Sequence, residues 1–310
     1  MEGQGGPSCQ TDTTVWHAVL DAQLDLFTAG GRDVAALRER WTTAAVDRPV
    51  IWSYGGGVQS AAIAVLVLRG ELPRPERIVM ADTSREASAT WAYLEDVVQP
   101  ALAGGGLRVE VAPHELATKD LVSTDGRPLM PVYTRQAEDR QRSGKVGQMR
   151  NFCSGEWKRD VVRRYVRQLG YGPEGRSELG PVVNWLGISR DEAGRMGGDR
   201  RKWIVTRWPL VFDRPTTRAE CLELVAEAGW PRPPKSSCWC CPYRSDAQWR
   251  ELREAWPEDW ARAISLEAEL RRRDSGVYLH RSGVPLGEAD LGEGCHQAED
   301  LPCTSGQCWT

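Results

Sequence analysis

A glycine triplet between a β-prone run and a helix-forming run constrains this chain more than any other feature. The apolar run at 50–52 favours a strand, the glycines at 55–57 a tight loop, and the residues up to 68 a helix that begins near Gln59. Glycines let an anion approach the main chain, and a helix start offers unpaired N–H groups. The loop therefore predicts a phosphate site. The residues expected to bind the phosphates are Ser53, Gly55, Gly56, Gly57, Gln59 and Ser60.

Strands and helices alternate after this loop. A buried strand at 77–80 leads to a helix at 87–102, and a third strand follows at 107–112. This succession predicts an α/β fold with a doubly wound parallel sheet and right-handed crossovers. Further elements are expected as a helix at 161–169, a strand at 182–188, an extended stretch at 203–211 and a helix at 218–228.

The pattern divides the chain into three parts. Residues 1–46 read as an N-terminal helical segment with helices at 15–27 and 34–45, and residues 47–230 as the nucleotide-binding α/β domain. Residues 231–310 are predicted to form a Cys-rich helical appendage. It would contain one long helix at 247–273, whose tryptophans are expected to pack against the rest of the protein, and a hairpin in the tail. Residues 118–147 have little periodicity and are expected to form a long loop near the site.

Composition narrows the class of protein. The chain has 310 residues, of which 41% are hydrophobic, and it can bury a full core. No apolar run reaches the length of a membrane span and the first residues are polar, so we expect a cytoplasmic protein with no membrane partner. The net charge of −3 argues against a general nucleic-acid coat, although arginines crowd 135–167 and 190–207. Most of these arginines are expected on solvated faces, and a few to meet phosphates.

The cysteines indicate a metal site. Nine cysteines in a reducing compartment are not expected to form disulfides, and with four histidines in the chain a metal site would be mostly thiolate. Cys238 and Cys241, three residues apart, can chelate one metal from one turn, and Lys235 and Arg244 would lower the thiol pKa values. The pattern suits a zinc knuckle, an iron–sulfur half-site or a redox pair. The redox pair is disfavoured because no βαβ unit surrounds it.

Five elements in order resemble the PAPS (phosphoadenosine phosphosulfate) reductase and PP-loop ATP pyrophosphatase family. The chain lacks a Walker loop and a Gly-x-Gly-x-x-Gly fingerprint. Two departures occur: Gln59 stands where the ATP pyrophosphatases usually carry Asp, and Ser84 stands in place of Gly. The resemblance covers about residues 50–265, through the glycine loop, Asp82-Thr83-Ser84 with Glu86 and Thr90, Arg150–Lys158, Asn184–Arg195 and Pro234–Tyr243.

The resemblance implies roles for particular residues. Asp82 and Thr83 would border the adenosine, while Lys158, Arg150 and Arg195 would hold anionic groups. Cys153 would serve a cluster or a sulfur relay. A [4Fe–4S] cluster would be held by Cys153, Cys238 and Cys241, with the fourth position taken by another cysteine such as Cys308 or left open for sulfur; zinc is the alternative metal.

The resemblance also implies chemistry. In the leading interpretation ATP and Mg²⁺ adenylate an acceptor, which could be tRNA or DNA, and sulfur from a donor such as a cysteine desulfurase displaces AMP. One alternative is a PAPS or APS (adenosine phosphosulfate) reductase that releases sulfite. The reductase ending Glu-Cys-Gly-Leu/Ile-His is missing, because Leu222 follows Glu220 and Cys221. A non-catalytic, zinc-stapled nucleic-acid-binding module is the other alternative.

Overall fold

The computed structural model describes residues 48–122, 128–135, 146–149 and 152–292. The helices predicted at 15–27 and 34–45 lie outside the described residues. So do Arg150 and the tail cysteines, including Cys308.

A five-stranded parallel sheet forms the centre of the described chain. Its order is β3-β2-β1-β6-β7, and every neighbouring pair is parallel. The predicted α/β fold with a doubly wound sheet is thereby confirmed. The strands are β1 (Val50–Ser53), β2 (Arg77–Ala81), β3 (Val109–Ala112), β6 (Val182–Leu186) and β7 (Ile204–Arg207).

The strand order reverses between β1 and β6. From β1 the chain builds outward to β2 and β3, and then returns to place β6 and β7 on the other side of β1. Loops that leave neighbouring strands in opposite directions open a crevice at the carboxyl ends, where such sheets bind ligands. The glycine loop leaves β1 at this point and Gly187 follows β6 there.

Helices cover both faces of the sheet. Helix α1 (Val58–Leu68) packs against α6 (Arg218–Glu227). On the opposite face, α4 (Asp160–Gln168) buries Val161, Val162 and Val166 against Ile51 and its neighbours in the strands. The remaining helices of this part are α2 (Ser88–Tyr93), a π-helical turn Leu94–Val98, α3 (Gln99–Gly104), a π-helical turn Ser154–Arg159 and α5 (Pro209–Phe212).

A second core lies under the cysteine-rich segment. Strands β4 (Tyr133–Thr134), β5 (Gly147–Gln148) and β8 (Val277–Tyr278) form a small antiparallel sheet in the order β5-β4-β8. Helices α7 (Asp246–Ala255) and α8 (Pro257–Arg273) pack with it. Trp249 is fully buried and meets Trp260 edge-on at 6.3 Å, so the tryptophans pack as predicted.

Three local predictions were wrong. The single helix at 247–273 is two helices, because Pro257 opens α8 and holds Trp256 in a non-helical conformation. The extended stretch at 203–211 ends at Arg207, and α5 follows with its own proline at the first position. The tail hairpin is instead the single strand β8, which pairs with β4. Within the described ranges, no helix has both the length and the apolar composition needed to cross a bilayer.

Candidate functional site

The glycine loop has its shape because of Gly56. Its φ of +78° lies in the left-handed region, and a Cβ there would stand 2.5 Å from the methyl carbon of buried Thr90. Gly57 is extended, but a Cβ on it would lie 3.2 Å from the Cβ of Ser236. The loop is therefore enclosed by the helix start at Thr90 on one side and by the cysteine-rich segment on the other.

The first turn of α1 faces the crevice. No side chain of the described residues caps it, so the N–H groups at its start are directed to the carboxyl edge of the sheet. Ser60 Oγ accepts a hydrogen bond of 2.9 Å from the Gly55 N–H and so closes the loop on itself. Ser53 Oγ donates to Asn184 Oδ1 at 2.8 Å, which ties β1 to β6 at the reversal point. The geometry is that of an anion site at a helix N-terminus.

Gln59 points away from the loop, into a polar network. Its Nε2 donates to Glu192 Oε2 at 2.9 Å, and its Oε1 accepts from Arg218 at 3.2 Å. Arg195 contacts the same Glu192 oxygen at 2.9 Å. The predicted anion-binding Arg195 therefore stands beside the start of α1, in an ion pair with Glu192.

The second motif forms a tight turn after β2. Asp82 Oδ1 accepts a 2.6 Å hydrogen bond from the Ser84 N–H, and Ser84 has a φ of +55°. A residue with a side chain rarely adopts this conformation, so the backbone at Ser84 is strained. Thr83 is fully buried, and its Oγ1 lies 3.7 Å from Cys238 Sγ.

The cysteine-rich segment is attached both to the residues that follow the turn at Ser84 and to the glycine loop. The Ala87 N–H donates to the Ser237 carbonyl at 3.2 Å, and the Trp239 N–H donates to the Arg85 carbonyl at 2.8 Å. These bonds form a short antiparallel bridge between Glu86 and Cys238. In addition, Ser236 Oγ donates to the Gly55 carbonyl. The cysteines are thereby held beside the predicted phosphate loop.

A buried ion pair lies beneath this bridge. Lys158 Nζ is 2.9 Å from Glu86 Oε1, and the Glu86 side chain is 1% exposed. Thr83 Oγ1 donates to the same Glu86 oxygen at 3.4 Å. Burial raises the pKa of both Cys153 and Cys238. The positive charge of Lys158 lowers both pKa values by a smaller amount.

The thiols predicted to bind a metal converge from two segments. Cys153 begins the π-helical turn that contains Lys158, while Cys238 and Cys241 are on the bridge and the turn that follows it. Burial raises the pKa of Cys153, and the charges of Cys238 and Cys241 raise it further. Burial likewise raises the pKa of Cys238 to about 12. Cys153 and Cys238 pack against the second core, and no cysteine of the described residues is in a disulfide.

The described part of the chain contains no group of three His, Cys, Asp or Glu side chains arranged to hold a metal ion. Cys238 and Cys241 both raise the pKa of Cys153, and Cys241 raises that of Cys238, so the three predicted ligands interact with one another, and thiolates are donors that zinc and iron–sulfur clusters take. Cys308, predicted as a fourth ligand, lies outside the described residues.

Cys221 is excluded from the site by its position. It is fully buried on α6, and burial raises its pKa to about 12. A neutral thiol on a packed helix face has no access to a nucleotide in the crevice. This placement agrees with the absence of a reductase ending after Glu220.

Several contacting residues were not predicted as site residues. Ser236 precedes the cysteines by two positions and could have been noticed in that motif. The partners Asn184 and Glu192 lie in the fourth motif, where sequence reasoning chose only Arg195. Arg218 could not be found from sequence, since only the fold brings α6 to Gln59.

Among known proteins, the chain is similar to proteins of solved structure. No protein-family model matches the chain, and no curated protein matches it. A PAPS reductase from Candida auris, solved as a phosphate complex, is similar with a TM-score of 0.37 and 12% identity, over 66% of this chain and 88% of that one. The U34-tRNA thiolase NcsA from Methanococcus maripaludis, with its [4Fe-4S] cluster, is similar with a TM-score of 0.38 and 12% identity, over 81% of this chain and 80% of that one.

Proposed function

We propose that this chain is an adenine-nucleotide-binding PP-loop enzyme that activates an acceptor with ATP and transfers sulfur to it. One observation carries the proposal: Ser236 Oγ donates a hydrogen bond to the Gly55 carbonyl, so the glycine loop and the cysteine segment are in direct contact. A nucleotide held by the loop would place its phosphates beside the thiols. Neither feature alone favours sulfur transfer, but their contact does.

The phosphate chain is assigned to the glycine loop and the first turn of α1. The N–H groups there would stabilise the charge that builds up on the phosphates when the acceptor oxygen attacks the α-phosphorus. Pyrophosphate would leave, and the acceptor would carry AMP. Lys158, which pairs with Glu86, and Arg195, which pairs with Glu192, are proposed to bind phosphate oxygens, with Mg²⁺ as a further counter-ion.

Asp82 and Thr83 are proposed to border the adenosine. The turn at Ser84 holds them at the carboxyl end of β2, next to the loop that leaves β1. In this proposal residues 47–230 bind the nucleotide and 231–310 supply most of the thiols.

The thiols of Cys153, Cys238 and Cys241 are proposed to hold a [4Fe–4S] cluster, with zinc as the alternative metal. When bound, such a cluster would supply a site at which sulfur is held as a nucleophile. The described cysteines form no disulfide, which suits the proposed reducing, cytoplasmic setting. A nucleic acid such as tRNA or DNA is the proposed acceptor, and a cysteine desulfurase is a suitable sulfur donor.

The test is to incubate anaerobically purified protein with ATP, Mg²⁺, inorganic sulfide as the sulfur donor and candidate tRNA or DNA acceptors, and to measure pyrophosphate and AMP. The proposal expects both products in equal amounts, and only with an acceptor present. Sulfite release from PAPS or APS, with no pyrophosphate from ATP, would identify a reductase instead. Zinc without iron or sulfide, together with no nucleotide binding, would identify a non-catalytic binding module.

A further inference from the structure

Parts of the two arginine-rich segments of the sequence meet on one side of the sheet. Arg163 Nη1, on α4, lies 3.9 Å from Asp199 Oδ1, in the loop before β7. One turn further along α4, the guanidinium of Arg167 lies over the ring of Trp203, 5.9 Å from its centroid. These contacts bring together a group of cations that we call the basic patch, formed by Arg159, Arg163, Arg200, Arg201 and Lys202.

Asp199 holds the loop that carries three of these cations. Its Oδ1 accepts a hydrogen bond of 2.8 Å from the Arg201 N–H, and its own N–H donates to Thr206 Oγ1 at 3.2 Å. The Asp199 side chain is 3% exposed. The three residues that follow it are all exposed, and among the described residues their side chains form no ion pair. The loop therefore presents three unpaired positive charges to solvent.

The patch carries more positive charge than its neighbouring carboxylates balance. Asp160 and Asp199 both pair with Arg163, and Asp160 Oδ1 also lies 3.5 Å from Arg159 Nε. Burial lowers the pKa of Arg163; Asp199 raises it, and the charges of Arg201 and Arg159 lower it again. The chain as a whole has a net charge of −3, so this excess of positive charge is local. Such a surface attracts a polyanion.

The patch and the crevice share a pocket. Arg159, Arg163 and Asp199 line it together with Ser53 and Asn184, the pair that ties β1 to β6. The rest of its lining is apolar and comes from α4 and the strands. A polyanion bound to the patch would therefore adjoin Ser53, the first of the residues expected to bind the nucleotide phosphates.

We propose that the basic patch binds the phosphate backbone of the nucleic-acid acceptor and so holds that acceptor at the crevice. Guanidinium groups suit this partner because their planar N–H donors can bond two phosphate oxygens at once, and four of the five cations are arginines. Contacts to the backbone position a nucleic acid without reading its bases, so tRNA and DNA share the chemistry. This inference rests on the proposed function, because it takes the acceptor to be a nucleic acid.

The experiment measures binding to the full chain by fluorescence anisotropy, without ATP, over a range of salt concentrations. Labelled mixed tRNA is one probe and a labelled short DNA duplex is the other. The patch variant replaces the three exposed cations of the loop and keeps the contact between Arg163 and Asp199. It carries Arg200→Gln, Arg201→Gln and Lys202→Gln.

The second core offers a matched control with the same change in net charge. Three exposed arginines of α7 and α8 are replaced instead. The control variant carries Arg253→Gln, Arg272→Gln and Arg273→Gln. Both variants should unfold at the urea concentration of wild type, because the replaced side chains are exposed. A lower midpoint for the patch variant would contradict the exposed position of its three cations.

We expect the patch variant to bind the nucleic acid about 10- to 100-fold more weakly, and the control to bind as wild type does. The slope of log affinity against log salt should be smaller in magnitude by about 2–3 in the patch variant, since each lost phosphate contact removes about 0.7–0.9. Weaker binding confined to the tRNA probe identifies RNA as the source of the backbone, and weaker binding confined to the duplex identifies DNA.

The proposal is overturned if wild type binds neither probe, if the patch variant keeps the wild-type affinity and slope, or if the control loses as much. Its failure is distinguishable from that of the proposed function. Binding through the patch by a protein that releases no pyrophosphate would contradict the proposed function alone. Pyrophosphate release with a tRNA or DNA acceptor whose KM is the same in the patch variant would contradict this inference alone.

Discussion

Ser236 donates a hydrogen bond to the Gly55 carbonyl across a separation of 181 residues. The bond joins the loop after the first strand to the segment that carries Cys238 and Cys241. Gly57 is packed against the same serine. The loop predicted to bind phosphates and the segment predicted to bind a metal are therefore in direct contact.

Replacing Gly56 by alanine should disrupt the loop. The residue has a left-handed φ of +78°, and its new Cβ would stand 2.5 Å from the Thr90 methyl carbon. We expect the free energy of unfolding, measured with urea, to fall by about 1–2 kcal/mol because of backbone strain and by about 1–3 kcal/mol because of overpacking. ATP affinity should fall as well.

Gly70→Ala is the matched control for that change. Gly70 has a φ of +73°, but nothing lies within 4 Å of a Cβ there. It should show only the backbone loss and keep wild-type ATP affinity. Equal losses of stability in the two variants would contradict the close packing at Gly56.

Replacing Lys158 by methionine should leave the buried Glu86 carboxylate without its cation. Breaking such a pair costs about 3–5 kcal/mol, and chemical unfolding measures the loss. The double variant Lys158→Met with Glu86→Gln should regain most of the stability. ATP binding should stay weak in both, if Lys158 binds phosphate; recovery of affinity in the double variant would show that Lys158 acts only through the fold.

Replacing Ser84 by glycine should stabilise the protein. Relief of the left-handed conformation at φ +55° should raise the free energy of unfolding by about 1–2 kcal/mol. The greater freedom of glycine in the unfolded chain should lower it by about 0.5–1 kcal/mol. The thermal midpoint should rise accordingly. Ser84→Ala removes the hydroxyl but keeps the conformation, so a similar rise in that variant would refute the explanation.

The sequence predicted the sheet because its signals are local. The apolar run at 77–80 and the glycines after β1 lie within a few residues of the structure that they specify. The break between α7 and α8 was missed although Pro257 marks it, because helix-favouring residues flank it on both sides. The bond from Ser236 to Gly55 and the contact of Arg163 with Asp199 depend on how distant segments fold together, and no short sequence pattern encodes them.

Replacing Gln59 by glutamate should place two carboxylates in contact. Gln59 Nε2 lies 2.9 Å from Glu192 Oε2, so the variant puts an oxygen where a donor stood. We expect a loss of about 1–3 kcal/mol in unfolding free energy at neutral pH. Adding Glu192→Gln should restore a donor and most of the stability. A double variant no more stable than Gln59→Glu would argue against this contact.

Cys221 should make the protein sensitive to alkali. Burial raises its folded pKa to about 12 from an ordinary value of 9.0, so the folded state keeps the proton that the unfolded state releases. The contribution to stability is complete below pH 9 and is lost as the pH rises towards 12. In unfolding measurements between pH 8 and 10, Cys221→Ser should lose less stability than wild type.

The same variant should leave ATP-dependent pyrophosphate release unchanged at neutral pH, because Cys221 is fully buried and is not among the residues proposed to bind the nucleotide or a metal. An identical alkaline decline in wild type and variant would show that other groups cause it. A loss of pyrophosphate release with a folded protein would bring Cys221 back into consideration as a reactive thiol.

Hydrogen exchange with and without ATP and Mg²⁺ tests the central claim most directly. If the glycine loop binds the phosphates beside the thiols, amide exchange should slow in peptides that cover 54–60 and, through the Ser236 contact, in peptides that cover 236–241. ATP binding that protects neither segment, or that protects only a distant part of the chain, would contradict the account.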